Sequence, residues 1–220
     1  MVSPHPDDSA VSSGATIRAL FEQNNVTIMA MTSGYRAAIP GADKKKRIAA
    51  RKKEALAEAK KLQADLLFPE FHFYDQGRKK WKQDLKKFGK LWKSINPSVV
   101  ILPHQYDEHP THRYSTALVE DYIKQEKVKQ LELWYYESVW SQHLLTSISQ
   151  VFCYNEELHD VKNAAINSHT SQVKRIPLVE ITENLSRFRA LTIPEQKFVT
   201  YGQEPINLSS FVEAYHIEKR

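Results

Sequence analysis

Near its start the chain carries Ser3-Pro4-His5-Pro6-Asp7-Asp8, an imidazole and two carboxylates on one short turn. Proline fixes its own backbone angle and biases the residue before it toward an extended conformation, so Pro4 and Pro6 stiffen the turn around His5. A second cluster, Asp107-Glu108-His109-Pro110-Thr111-His112, again follows an aliphatic run, Val99-Val100-Ile101-Leu102. Two strand ends tipped with metal-binding groups suggest one site. Zinc favours imidazole nitrogen and carboxylate oxygen, and a catalytic site uses three protein ligands while keeping one position open. His5, Asp8 and His112 fit that description. Asp7 then remains beside the metal as a carboxylate able to take a proton from water, and His109 as an acid or oxyanion donor. The chemistry this set supports is metal-assisted hydrolysis.

The His5-Pro6-Asp7-Asp8 turn, the His109-Pro110-Thr111-His112 cluster and His169-Thr170-Ser171-Gln172 resemble the motifs of the PIG-L (LmbE-like) family of zinc-dependent N-acetylglucosamine deacetylases. Thr32-Ser33-Gly34 and residues 51–54 are also similar to family positions, and the likeness weakens beyond Gln172. The resemblance implies Zn2+, or another divalent transition metal such as Fe2+, held by His5, Asp8 and His112. It implies Asp7 as general base, with His109 supporting the oxyanion or protonating the leaving amine. Arg51 would help hold the substrate, and Arg51, Glu137 and His169 are expected to line a sugar pocket. The implied substrate is a small N-acetylated sugar conjugate. Two positions depart from the family pattern: Ser9 stands where glutamate is usual, and Thr111 where aspartate is usual. A carboxylate at the second position would charge and orient the neighbouring ring, so its replacement is expected to leave His109 less basic.

These residues need a scaffold that brings distant strand ends together. Residues 10–23 have helical spacing, and Val26 to Met31 reads as a buried strand closed by the Thr32-Ser33-Gly34 turn. Asp43 can cap a long Ala, Lys and Glu-rich helix through about Gln63, and Asp65 to Phe68 begins the next extended piece. In residues 79–94, Trp81, Leu85, Phe88 and Trp92, with Ile95 beyond, recur on one helical face while lysines crowd the other; Asn96-Pro97 ends that helix. Val99 to Leu102 is a strand, Thr116 to Ile123 a helix, and Leu131 to Tyr136 a strand that delivers Glu137 to the site's edge. Alternating strands and helices predict an α/β fold, Rossmann-like and doubly wound, with a mostly parallel sheet, helices on both faces and the site at the carboxyl edge. One domain spanning residues 1–220 is expected. If Val2-Ser3 ends the first strand, that strand is either very short or preceded by residues upstream of Met1.

With 41% hydrophobic residues in 220, the chain can bury one substantial core without disulfides. Its single cysteine, Cys153, and the lack of a leader-like segment favour a cytoplasmic location, and no apolar run approaches a membrane span. The net charge of +5 supports a rival reading as a non-catalytic module for anionic partners. Lysines on the solvent face of amphipathic helices account for that charge, so no nucleic-acid partner is expected. A metal-dependent hydrolase of another amide or ester bond is the other alternative, and homo-oligomer formation is compatible with the sequence. Of the remaining histidines only His104 lies close enough in sequence to the second cluster to serve as an outer group; His72, His143, His159 and His216 read as isolated polar residues.

Overall fold

A computed structural model describes residues 1–193 and 211–220 of the chain; the expected single domain also takes in residues 194–210, which lie outside the described residues. The chain runs β1 (Val2–Ser3), α1 (Asp8–Leu20), β2 (Thr27–Ala30), α2 (Lys44–Leu62), β3 (Asp65–Leu67), α3 (Phe73–Gln76), α4 (Trp81–Ile95), β4 (Val99–Pro103) and α5 (Pro110–Glu126). It continues β5 (Glu132–Tyr136), β6 (Gln150–Tyr154), α6 (Glu156–Ile166), α7 (Thr170–Val173), α8 (Leu178–Thr192) and β7 (Phe211–Lys219). Local chemistry sets several of these boundaries. Asp43 Oδ1 accepts the Lys46 N–H at 2.9 Å and starts α2, which ends where Gln63 turns left-handed at φ 56°. Asn96 ends α4 in the same way, at φ 48°. The Trp and Phe stripe of α4 faces inward: Phe88 and Trp92 are buried, with Trp81, Leu85 and Ile95 packed beside them. The helix expected over residues 116–123 starts six residues earlier, because His109 caps it and Pro110 takes its first turn. His112 therefore sits on a helix.

The expectation of one mostly parallel sheet is corrected by the topology. There are two sheets, a parallel one ordered β1-β2-β3 and a mixed one ordered β4-β5-β7-β6. In the second sheet β4 and β5 are parallel, but β7 runs antiparallel to both β5 and β6. The reason lies in the last strand. Its alternate residues Phe211 and Tyr215 join one core and Val212 and Ala214 another, so β7 is buried on both faces and fits the slot between two strands. The α/β class stands. β1 packs beside β4, joining the two sheets. Val2, Met29, Val100, Leu102 and Leu133 face α4 and α5, while Ile28 packs with residues of α1, α2 and α6 on the opposite face. No helix among the described residues is long and apolar enough to cross a membrane.

β7 also fastens the helix that follows the first turn. The backbone of α1 breaks helical geometry at Ser13 (φ −141°), which leaves the N–H groups of Ala15 and Thr16 without their usual partners. Glu213 accepts both, at 3.1 and 2.9 Å, together with the Thr16 hydroxyl at 2.6 Å and the Lys162 ammonium of α6. Both Lys162 and Glu213 side chains are about 2% exposed. Glu213→Leu would strand a buried cation and two amides, and is expected to lower unfolding free energy by about 3–5 kcal/mol. Denaturant unfolding checks this; a loss below about 1 kcal/mol would show that the pair does not hold α1.

Candidate metal centre

β4 and β5 pair in parallel and β1 packs beside β4; the segments that follow these three strands are the first turn, the His104–His112 loop and Glu137. The first turn is braced from within. Ser3 Oγ donates to His5 O at 2.6 Å and accepts the Ser9 N–H at 3.0 Å, while the His5 N–H donates to Asp8 Oδ2 at 2.7 Å. The Thr32 hydroxyl donates to Pro4 O at 2.7 Å. Gly34 has φ +57°, and a Cβ there would lie 2.9 Å from Pro6 Cδ. Glycine is therefore what allows the Thr32-Ser33-Gly34 turn to close over the His5 turn.

His5, His109 and His112 each offer a ligand atom, all within 4.8 Å of one another. Their ring centroids are 4.7 Å (His5 to His109), 5.0 Å (His109 to His112) and 5.3 Å (His5 to His112) apart. Asp8 Oδ2 lies 3.1 Å from His5 Nδ1 and 3.1 Å from His112 Nε2, so a carboxylate sits between two of the rings. His112 Nδ1 donates to Asp107 Oδ2 at 2.9 Å, which turns Nε2 toward the centre; Asp107 Oδ1 accepts the His109 N–H at 2.8 Å. His109 Nδ1 accepts the Thr111 N–H at 3.2 Å, leaving Nε2 as its free nitrogen. Tyr74 meets His5 edge-on at 6.0 Å.

The electrostatics are those of a cation site. Burial opposes charge on Asp8, but His112 and His5 outweigh it and hold its carboxyl well below the usual range. Burial also opposes charge on His112, yet Asp8 and Asp107 on either side push its ring up to about 10. A proton there occupies the place of a cation, as expected of a ligand set with carboxylate supported from behind. For His109, burial and then the charges of His5 and His112 push the ring down to about 4. Asp107 serves the ring of His112, not that of His109. Two or three imidazoles with one carboxylate suit zinc or a neighbouring divalent transition metal.

Behind Asp7 lies a buried polar network. Burial works against the Asp7 charge, but the Arg51 guanidinium, 2.7 Å from Oδ1, holds the carboxyl below its ordinary value. Arg51 is 1% exposed; its Nη1 donates to Glu54 at 3.1 Å and lies 3.5 Å from His169 Nδ1. His169 Nε2 meets Glu58, which also accepts the Ser9 hydroxyl, and Glu54 accepts from Thr170 and Ser171. Arg51 and His169 are thus brought to the site but sealed beneath it, with Arg51 Nη1 and Nη2 and His169 Nε2 engaged by Asp7 and two glutamates and, among the described residues, no partner for Arg51 Nε. Glu137 directly follows β5, and its carboxylate is taken by Arg189 and the His143 N–H. Sequence reading placed Glu54 in a segment similar to family positions without giving it a role, and did not single out Glu58. Their signal was available: with Arg51 they recur at helical spacing on the Ala55, Ala59 and Leu62 side of α2, an odd place for charges.

A family model described as PIG-L, GlcNAc-PI de-N-acetylase, matches residues 1–123, which include both clusters and Arg51. No curated protein sequence matches the chain. Among solved structures, the 4-carboxy-2-hydroxymuconate hydratase GalB from Pseudomonas putida KT2440 is similar with a TM-score of 0.77 at 18% identity, covering 100% of this chain and 95% of GalB. The N,N'-diacetylchitobiose deacetylase from Pyrococcus horikoshii is similar with a TM-score of 0.74 at 18% identity, over 99% of this chain and 82% of that one. A deacetylase of the teicoplanin biosynthetic pathway follows at 0.72 and 14% identity, over 100% and 97%. At such identities these likenesses establish a shared fold.

Proposed function

Because the chain belongs to the PIG-L family, we propose that it is a zinc-dependent cytoplasmic hydrolase that removes the N-acetyl group from an N-acetylglucosamine-containing molecule, releasing acetate and a free amine. The observation that carries this reading is the convergence of His5, Asp8, His109 and His112 on one point, with Asp7 held off it by Arg51. In this reading His5, Asp8 and His112 would hold the metal, which would supply Lewis acidity toward the acetyl carbonyl and the attacking water. Asp7, ionised and oriented by Arg51, accepts the proton of the attacking water. The water oxygen bonds to the acetyl carbon, the carbon–nitrogen bond breaks, and Asp7 returns the proton to the departing amine. His109 is neutral at pH 7, with Nδ1 occupied by the Thr111 N–H, so its contribution is an Nε2–H donor to the oxyanion.

The test is metal content of the purified chain, followed by acetate release from a panel of N-acetylglucosamine conjugates with and without chelator. Chelator-sensitive acetate release is expected. Bound metal without acetate release from any member of the panel would overturn the deacetylase reading.

The role given to His109 separates donor from acid. His109→Ala should keep the metal and lower kcat by on the order of a hundredfold, whereas His109→Gln, which retains an N–H donor, should recover part of the loss. Because the folded ring titrates near 4, it is neutral above that pH, and wild-type kcat should show no basic limb from His109 between pH 5 and 8. Equal loss in both variants would assign it proton transfer instead.

A further inference from the structure

Three more imidazoles meet on the same sheet edge, from residues far apart in the chain. His104 follows β4, His143 lies in the segment after β5, and His216 is on β7. The rings of His104 and His143 are 4.7 Å apart, and those of His143 and His216 are 6.5 Å apart. His143 is 5% exposed, and its Nε2 lies 2.9 Å from the Tyr135 carbonyl, which can only accept; Nε2 therefore carries the proton. Its Nδ1 is buried and, among the described residues, has no partner. His216 has the complementary arrangement, with Nδ1 donating to Ser147 O at 2.8 Å and Nε2 3.9 Å from Glu218. His104 Nδ1 accepts a long 3.3 Å hydrogen bond from the Tyr106 N–H.

We propose that His104, His143 and His216 form a second site for a divalent transition metal of borderline softness, such as Zn2+. A buried imidazole lone pair without a donor is costly unless something binds it, and these rings carry little to satisfy one another. His143 already donates its other ring N–H to a backbone carbonyl, the arrangement that orients a histidine ligand. Burial holds His104 below its ordinary value and His143 down at about 4, so both are unprotonated and available at neutral pH. The nearby Arg189 charge is matched by Glu137, and Asp107 and Glu218 add negative charge to the surroundings. Among the described residues only the first cluster brings three ligand atoms within 4.8 Å, so the second site closes when the half-exposed ring of His104 turns toward the fixed His143 and that of His216 exchanges its bond to the Ser147 carbonyl for the metal. Residues 104–112 would then be tied to a metal at both ends.

Equilibrium dialysis against Zn2+, with metal counted per chain, tests this without reference to any substrate. Wild type is expected to bind two equivalents. His104→Ala and His216→Ala should each bind one, and His112→Ala should also bind one, from the other site. His143 is left unchanged because it is buried, and thermal unfolding of the metal-free variants checks that they fold. One equivalent in the wild type, or two retained in both His104→Ala and His216→Ala, would overturn the second site. Two equivalents in His112→Ala would instead refute the ligand set of the first site and leave the second standing.

Discussion

Asp7→Asn is expected to keep the metal and to lose at least about a hundredfold in turnover, the range over which a positioned general base contributes. The physical basis is a division of labour between adjacent carboxylates. Asp8 sits between two imidazoles, whereas Asp7 turns to Arg51 at 2.7 Å. Asparagine can still accept from Arg51, so the buried guanidinium keeps an acceptor at position 7 beside Glu54 and the fold should be little disturbed. What it cannot do is take a proton. Metal analysis of the purified variant beside single-turnover kinetics distinguishes the roles: metal lost in step with activity would mean that Asp7 is itself a ligand.

His112→Ala should have the converse effect, abolishing turnover together with metal binding at the His5, Asp8 and His112 site. Asp107→Asn should leave the ligand in place and weaken metal affinity by about 10- to 100-fold, the usual scale for groups that orient a metal-bound histidine. The metal-free protein offers a second reading of the same residues. His112 is pushed up to about 10 in the folded chain, above its unfolded value near 6.5. A folded-state pKa raised in this way contributes stability that is complete below the unfolded pKa and disappears as pH rises through the folded one. Chelator-stripped wild type should therefore lose stability between about pH 6.5 and 10, and His112→Ala should not show that loss. Since proton and metal compete for the ring, metal affinity should rise over the same window. Denaturant unfolding at several pH values and a metal titration check both; a flat stability profile in the stripped wild type would contradict the placement of His112 between two carboxylates.

The amino-acid sequence by itself determined the short-range features: the proline-braced turn at His5, the cap at Asp43, the inward stripe on α4, and strands ending at both ligand clusters. These depend on neighbours within a few residues, where periodicity, capping and turn chemistry act directly. Tertiary structure decided the rest. β7 turned an expected mostly parallel sheet into a parallel sheet joined to a mixed one, because strand order depends on which buried surfaces meet and not on any local pattern. Burial then reassigned charges: Arg51, Glu54, Glu58 and His169 form a sealed network under Asp7, and Glu137 closes on Arg189. A charge that looks solvated in a helical repeat becomes structural only when another element covers it and supplies a counter-charge. His104, His143 and His216 show the same limit most plainly. Each is an isolated histidine along the chain, and only the pairing of β5 with β7 and the return of the segment after β5 bring the three rings together.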